Sequence, residues 1–73
     1  MERMAIFRNG ICVKNFEGPD SKINEAHREM VDSLEQIGGE MEEEMLSLEH
    51  GSYTTMFTVD SDNYEIHVWR IWK

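Results

Sequence analysis

The fold of this 73-residue chain is decided by residues 19–49, which read PDSKINEAHREMVDSLEQIGGEMEEEMLSLE (Pro19–Glu49). Apolar residues recur in its first part at intervals of three and four, the spacing that places side chains on one stripe of an α-helix. The stripe consists of Ile23, Ala26, Met30, Leu34 and Ile37. This spacing predicts an amphipathic helix whose apolar side packs on another layer of the protein.

The residues at the two ends of the helical pattern predict where the helix begins and ends. Gly18-Pro19-Asp20-Ser21 provides a turn and an oxygen-bearing N-cap candidate. Gly38-Gly39 can adopt the left-handed backbone conformation that closes many helices. We therefore expect the helix to lie between these two signals.

Strand-like sequences flank the helix on both sides. Asn9-Gly10 favours a type I′ turn, which predicts a hairpin before the helix. After it, alternation predicts that Tyr53, Thr55, Phe57 and Val59 share one sheet face. The strand-like runs are residues 4–8, 11–14, 53–59 and 64–72, the last two joined by a turn at residues 60–63.

Residues 40–50 are ambiguous in pattern. Met41, Met45 and Leu48 fit a helical face, whereas the alternation around Leu46 and Leu48 fits a strand. We favour an acidic loop through Glu43 and a strand from about Glu44 to His50, because the β-forming run that follows needs a neighbour. The sum is one α+β domain over residues 1–73, in ββαβββ order, with an antiparallel sheet of four to five strands and one helix packed on a face.

Negative charge is concentrated in the middle of the chain. The net charge is -8, from 15 acidic and 7 basic residues. Eleven of the acids and two of the bases lie within residues 17–49, which leaves the remainder at +1. Clustered negative charge attracts a basic partner and disfavours direct binding to nucleic acid or an anionic membrane.

Other function classes lack their sequence signatures. His27, His50 and His67 are widely separated, and no spacing typical of a metal site occurs, so we expect neither metal nor cofactor. A two-layer domain of this size has little room for an enclosed pocket, so we do not expect an enzyme.

We expect Cys12, the single cysteine, to be a small core residue. It cannot form an internal disulfide, and no apolar run approaches about 20 residues, which predicts a cytoplasmic protein.

The acidic residues suggest a binding surface. Carboxylates one helical turn apart resemble a short row of phosphates, and the glutamates after the helix would extend the row. The proposed surface consists of Glu25, Glu29, Asp32, Glu35, Glu40, Glu42, Glu43 and Glu44. The alternative is an ordinary solvated helix face with weak local ion pairs of Arg28, but one base among four acids does not offset their repulsion.

In size, acidity and α+β composition the chain resembles small phage-encoded proteins that mimic DNA and block host factors. The resemblance is one of composition, without a shared motif, and it transfers no functional residue. It implies an inhibitor in the host cytoplasm that occupies the DNA-binding surface of a basic protein, such as a histone-like nucleoid protein. Because small domains bury little surface, we also expect a homodimer, which would double the acidic row.

The competing hypothesis is a non-enzymatic interaction or regulatory module that binds through aromatic residues near its C-terminus, with the charge serving solubility. Trp69 and Trp72 lie on opposite faces of the last strand, so both sides of that strand are expected to meet protein. Tyr64 and Phe16 are further candidate anchors. Either tryptophan would then lie on a dimer or partner surface.

Overall fold

A computed structural model of the protein describes residues 1–47 and 52–71. All five strands belong to one antiparallel sheet in the order β2-β1-β5-β4-β3, with the helix between β2 and β3 in sequence. The predicted α+β fold in ββαβββ order is therefore confirmed. The elements are β1 (Glu2–Arg8), β2 (Ile11–Gly18), α1 (Asp20–Gln36), β3 (Glu40–Ser47), β4 (Ser52–Val59) and β5 (Asp62–Arg70).

The β1–β2 hairpin forms at the predicted turn. Asn9 and Gly10 both have positive φ angles, 52° and 83°, as a type I′ turn requires. The turn is joined by hydrogen bonds to the start of β5 at the same end of the sheet. The Asn9 backbone N–H donates to the Asn63 carbonyl at 2.7 Å, and the Asn63 N–H donates to Asn9 Oδ1 at 2.8 Å. Asp62 accepts from the Arg8 guanidinium at 2.7 Å.

Helix α1 packs through most of the predicted stripe. Ile23 and Leu34 are buried, and Ala26 and Met30 are partly buried against the same core. Ile37 was predicted wrongly, since it is 63% exposed. The helix ends at Gln36, and Gly38 turns the chain away with a φ of 87°, so Ile37 no longer points toward the sheet.

The predicted side-chain N-cap is also absent. Pro19 occupies the N-cap position, and no side-chain capping hydrogen bond forms there. Asp20 instead lies in the first helical turn, where a negative charge favours the helix dipole. Its carboxylate is 3.5 Å from the N-terminal amino group.

The core lies between α1 and one face of the sheet. The predicted alternation in β4 is confirmed, because Thr55, Phe57 and Val59 are buried and Tyr53 packs partly against the core. The buried apolar residues of the sheet that face the helix are Met4, Ile6, Phe57, Val59, Ile66 and Val68. We call the helix-covered side the inner face and the opposite side the outer face.

Strand β3 begins earlier than predicted. It starts at Glu40, so the expected acidic loop through Glu43 is wrong. The strand is at the sheet edge and pairs only with β4. A bulge between Met41 and Glu43 leaves Glu42 unpaired, and every described side chain of the strand is exposed. Charges on an edge strand remain hydrated and also discourage pairing with another chain, so they do not prevent β-structure here.

The last hairpin is tighter than predicted. Only Asp60 and Ser61 form its turn, with Asp60 at a φ of 54°, and β5 begins at Asp62 instead of after Asn63. The strand extends this far because Asp62 and Asn63 bond to the β1–β2 turn. The expectations for residues 48–50 and for Trp72 lie outside the described residues.

Candidate functional site

The predicted acidic residues of α1 form one exposed surface of the helix, which we call the helix surface. It consists of Glu25, Glu29, Asp32 and Glu35, all of them exposed. At about 1.5 Å rise per residue, Glu25 and Glu35 are roughly 15 Å apart along the axis, which gives about one carboxylate per 5 Å. Because Ile23 and Leu34 anchor the opposite side in the core, these carboxylates extend from a fixed backbone.

The glutamates of β3 form a second surface, the edge surface, which consists of Glu40, Glu42, Glu43 and Glu44, again all exposed. Paired residues of neighbouring antiparallel strands share a face. Glu43 pairs with Met56 and Glu40 with Thr58, on the outer face. Glu44 pairs with the buried Thr55, on the inner face. The edge surface is therefore divided between the two sides of the sheet.

The two acidic surfaces lie on different parts of the molecule. Glu25 and Glu29 line a shallow depression with Phe16 of β2, so they lie on the β2 side of the helix. The edge surface is at the opposite edge of the sheet, on β3. Of the β3 glutamates, Glu40 and Glu43 lie on the outer face, on the opposite side of the sheet from the helix. The register of β3 and the direction in which α1 crosses the sheet decide this, and neither can be deduced from spacing along the chain.

None of the eight carboxylates is neutralised by a near cation within residues 1–47 and 52–71, where no salt bridge of 4 Å or less involves them. The ion pairs of this part of the chain use other acids, for example Glu17 with Arg3 at 3.6 Å and Asp62 with Arg8 at 2.7 Å. The local pairs of Arg28 with its helix neighbours, considered above as the ordinary explanation, are therefore absent at this distance.

His27 has a structural role that sequence spacing did not indicate. It lies on the border of the apolar stripe, which is typical of a boundary residue, but its Nε2 is 3.1 Å from the Thr55 hydroxyl. Its ring also meets the Tyr53 ring edge to face at 5.1 Å. Burial lowers the pKa of His27, and the nearby charge of Glu44 opposes that shift. The same burial raises the pKa of Tyr53.

Trp69 lies on the outer face of the sheet. It pairs with Arg3 of β1 and Ser52 of β4, whereas its neighbour Val68 points into the core. The outer face continues along β5 through His67 and Glu65. Within the described part of the chain no helix or strand covers this face, because α1 lies on the other side.

Cys12 is exposed, so the expectation of a core cysteine is wrong. A bulge in β2 opposite Phe7 displaces this part of the strand, which is at the sheet edge. Among the described residues no group of three or more histidine, cysteine or carboxylate side chains is arranged to hold a metal ion.

No helix in the described ranges is both long enough and apolar enough to cross a membrane. Comparison with known proteins gave no matching family model, no significantly similar curated protein and no significantly similar solved structure. The functional argument therefore depends on the surfaces of this chain.

Proposed function

We propose that this protein is an acidic DNA mimic that occupies the DNA-binding surface of a basic protein, such as a histone-like nucleoid protein, and thereby inhibits it. The observation that supports this function is the exposure of eight carboxylates without a salt-bridge partner in the described part of the chain. A small protein loses stability through such self-repulsion. Binding to a cationic surface would relieve that repulsion.

The charge density of the helix surface supports a phosphate-like role. One strand of DNA has a negative charge about every 3.4 Å along the axis. The helix surface, with about one carboxylate per 5 Å, has roughly two thirds of that density. Charges this close lie within one Debye length, about 8 Å at physiological salt, so their electric fields overlap. A basic groove therefore interacts with all of them together.

The two acidic surfaces have different parts in this proposal. The helix surface is the contact row, because its four carboxylates project from one regular element. The edge surface contributes to long-range attraction and raises the association rate, since its glutamates point to both sides of the sheet and cannot all meet one flat partner.

The test measures binding to a purified histone-like nucleoid protein over a range of salt concentrations. We expect affinity to fall steeply as salt rises, and duplex DNA to displace the protein. The double variant Glu29→Gln/Asp32→Asn should bind about tenfold more weakly or worse. Failure to bind at low salt, or binding that salt does not weaken, contradicts the choice of this target class.

A matched control distinguishes the effect of the helix surface on affinity from the effect of total charge. Asp60→Asn removes one charge from an exposed position outside α1 that has no salt bridge among the described residues, and the helix variant matched to it is the single substitution Glu29→Gln. Asparagine also tolerates the positive φ of Asp60. We expect this control to weaken binding by a smaller factor than the helix variant. Equal losses in the two variants would show that net charge, and not the helix surface, determines affinity.

A second candidate function is binding of a partner through the aromatic end of β5. The observation in its favour is that Trp69 lies on the outer face, which no described element covers. In that case Trp69→Ala abolishes binding, while Glu29→Gln/Asp32→Asn leaves it nearly unchanged and salt has little effect. The mimic proposal predicts the reverse of all three results.

A further inference from the structure

We propose that the outer face of the sheet, centred on β1 and β5, is the interface between two copies of this chain. The proposal assigns a specific surface to the homodimer expected from the small size of the domain. It does not depend on the identity of any target protein.

The outer face has an apolar component that a partner would bury. Phe7 and Trp69 are partly buried within it, and the Phe7 ring contacts the His67 ring edge to face at 5.1 Å. By strand alternation Val13 lies on the same side as Asn15, next to Phe7, and is 57% exposed. The face thus has aromatic residues in the middle and an exposed aliphatic residue at one edge.

The distribution of charge favours this face over the other surfaces for contact with an identical copy. The helix surface and the edge surface would each repel their equivalents, because a symmetric dimer brings like patches together. On β2, β1, β5 and β4 the outer face has one basic residue, Arg3, and two acidic residues, Glu17 and Glu65. Arg3 is 3.6 Å from Glu17, and the Glu65 carboxylate is 3.5 Å from His67 Nε2. A second copy therefore meets no large excess of its own sign here.

The size of the face fits a dimer of modest affinity. The four strands β2, β1, β5 and β4 lie about 4.8 Å apart and have seven to nine residues each at about 3.3 Å per residue, so their outer face spans roughly 19 by 26 Å, or about 500 Å². Two such faces bury about 1,000 Å², which is about the smallest area expected of a specific interface. We therefore expect association in the micromolar range, with monomers at high dilution.

In this arrangement the two helices lie on opposite outer sides of the dimer. The acidic helix surfaces then point in opposite directions, so dimerisation supplies two separate binding surfaces and not one row of doubled width. Each dimer could engage two basic partners, one on either side.

Sedimentation velocity from micromolar to millimolar concentration tests the proposal with two matched lysine variants. Val13→Lys and Ile11→Lys both replace an exposed β-branched residue of β2. Ile11 pairs with Arg8, whose guanidinium lies over the inner-face Tyr64 ring, so Ile11 is on the inner side of the sheet. We expect a monomer–dimer equilibrium that Val13→Lys weakens about tenfold or more and that Ile11→Lys leaves unchanged. Trp69→Ser should weaken it further.

The effect of salt on dimerisation is expected to be opposite to its effect on target binding, which distinguishes this proposal from the proposed function. Dimerisation should strengthen as salt rises, because salt screens the repulsion between two copies of charge -8. Glu29→Gln/Asp32→Asn should dimerise at least as well as the original chain while losing target binding. A chain that stays monomeric at every concentration and salt level overturns the dimer proposal, as does a dimer that Val13→Lys does not weaken. Loss of target binding in Val13→Lys without any dimer would assign the face to a different protein.

Discussion

His27 of α1 and Thr55 of β4 are joined by a hydrogen bond across the helix–sheet interface, with 3.1 Å between Nε2 and the hydroxyl oxygen. Thr55 is completely buried and is one of two polar residues buried in the described part of the chain. A buried hydroxyl without a partner is costly, so this contact fixes where the helix crosses β4. It also makes the stability of the fold depend on the protonation of His27.

We expect stability to fall as pH drops through the range in which His27 gains a proton. Burial lowers its pKa from 6.5, so the unfolded chain is protonated at a pH where the folded chain is neutral. The stabilisation is therefore complete above about pH 6.5 and decreases as pH falls to the folded-state pKa. Urea unfolding near neutral pH and near pH 5 measures the effect. The decrease should be smaller in His27→Gln and persist in His67→Gln; an equal decrease in His27→Gln contradicts the assignment.

Gly39→Ala should destabilise the fold by about 1 to 3 kcal/mol. A Cβ atom at residue 39 would lie 2.6 Å from the Leu34 carbonyl oxygen and 3.0 Å from Val59 Cγ2. The Gly39 N–H donates to that same carbonyl at 2.8 Å, so the backbone cannot move away without losing the bond. Thermal unfolding measures the change. Gly18→Ala is the control, because its Cβ would meet only Lys22 Cβ at 3.9 Å, and we expect a change within about 0.5 kcal/mol.

Substitutions of Asn9 distinguish the contribution of its backbone conformation to stability from that of its side-chain hydrogen bonds to the start of β5. Asn9 has a φ of 52° and bonds through its side chain to Asp62 and to the Asn63 N–H. Asn9→Gly removes only the side-chain bonds, whereas Asn9→Ala also places an unfavourable residue at positive φ. We expect Asn9→Ala to lose more stability than Asn9→Gly, by about 1 kcal/mol, in chemical unfolding. Equal losses would show that backbone conformation contributes little here.

Local sequence signals determined much of the architecture. The 3.6-residue spacing of Ile23 to Leu34 is sufficient to place the helix, because burial of one stripe dominates the choice of conformation. Asn9-Gly10 placed the first hairpin, because these residues tolerate the positive φ angles that the turn needs. The exposure of all eight acidic residues also followed from sequence, since an unpaired carboxylate is costly to bury.

Tertiary structure alone decided the arrangement of the candidate surfaces. Residues 40–47 pair with residues 52–58 of β4 because a buried strand needs hydrogen-bonding neighbours on both sides, a demand that outweighs the mutual repulsion of the glutamates. The resulting register places Glu43 and Glu44 on opposite sides of the sheet. The contact of His27 with Thr55 and the position of Trp69 on the outer face arise in the same way. Each depends on pairing between residues far apart in the chain, whereas spacing along the sequence specifies only neighbours within one element.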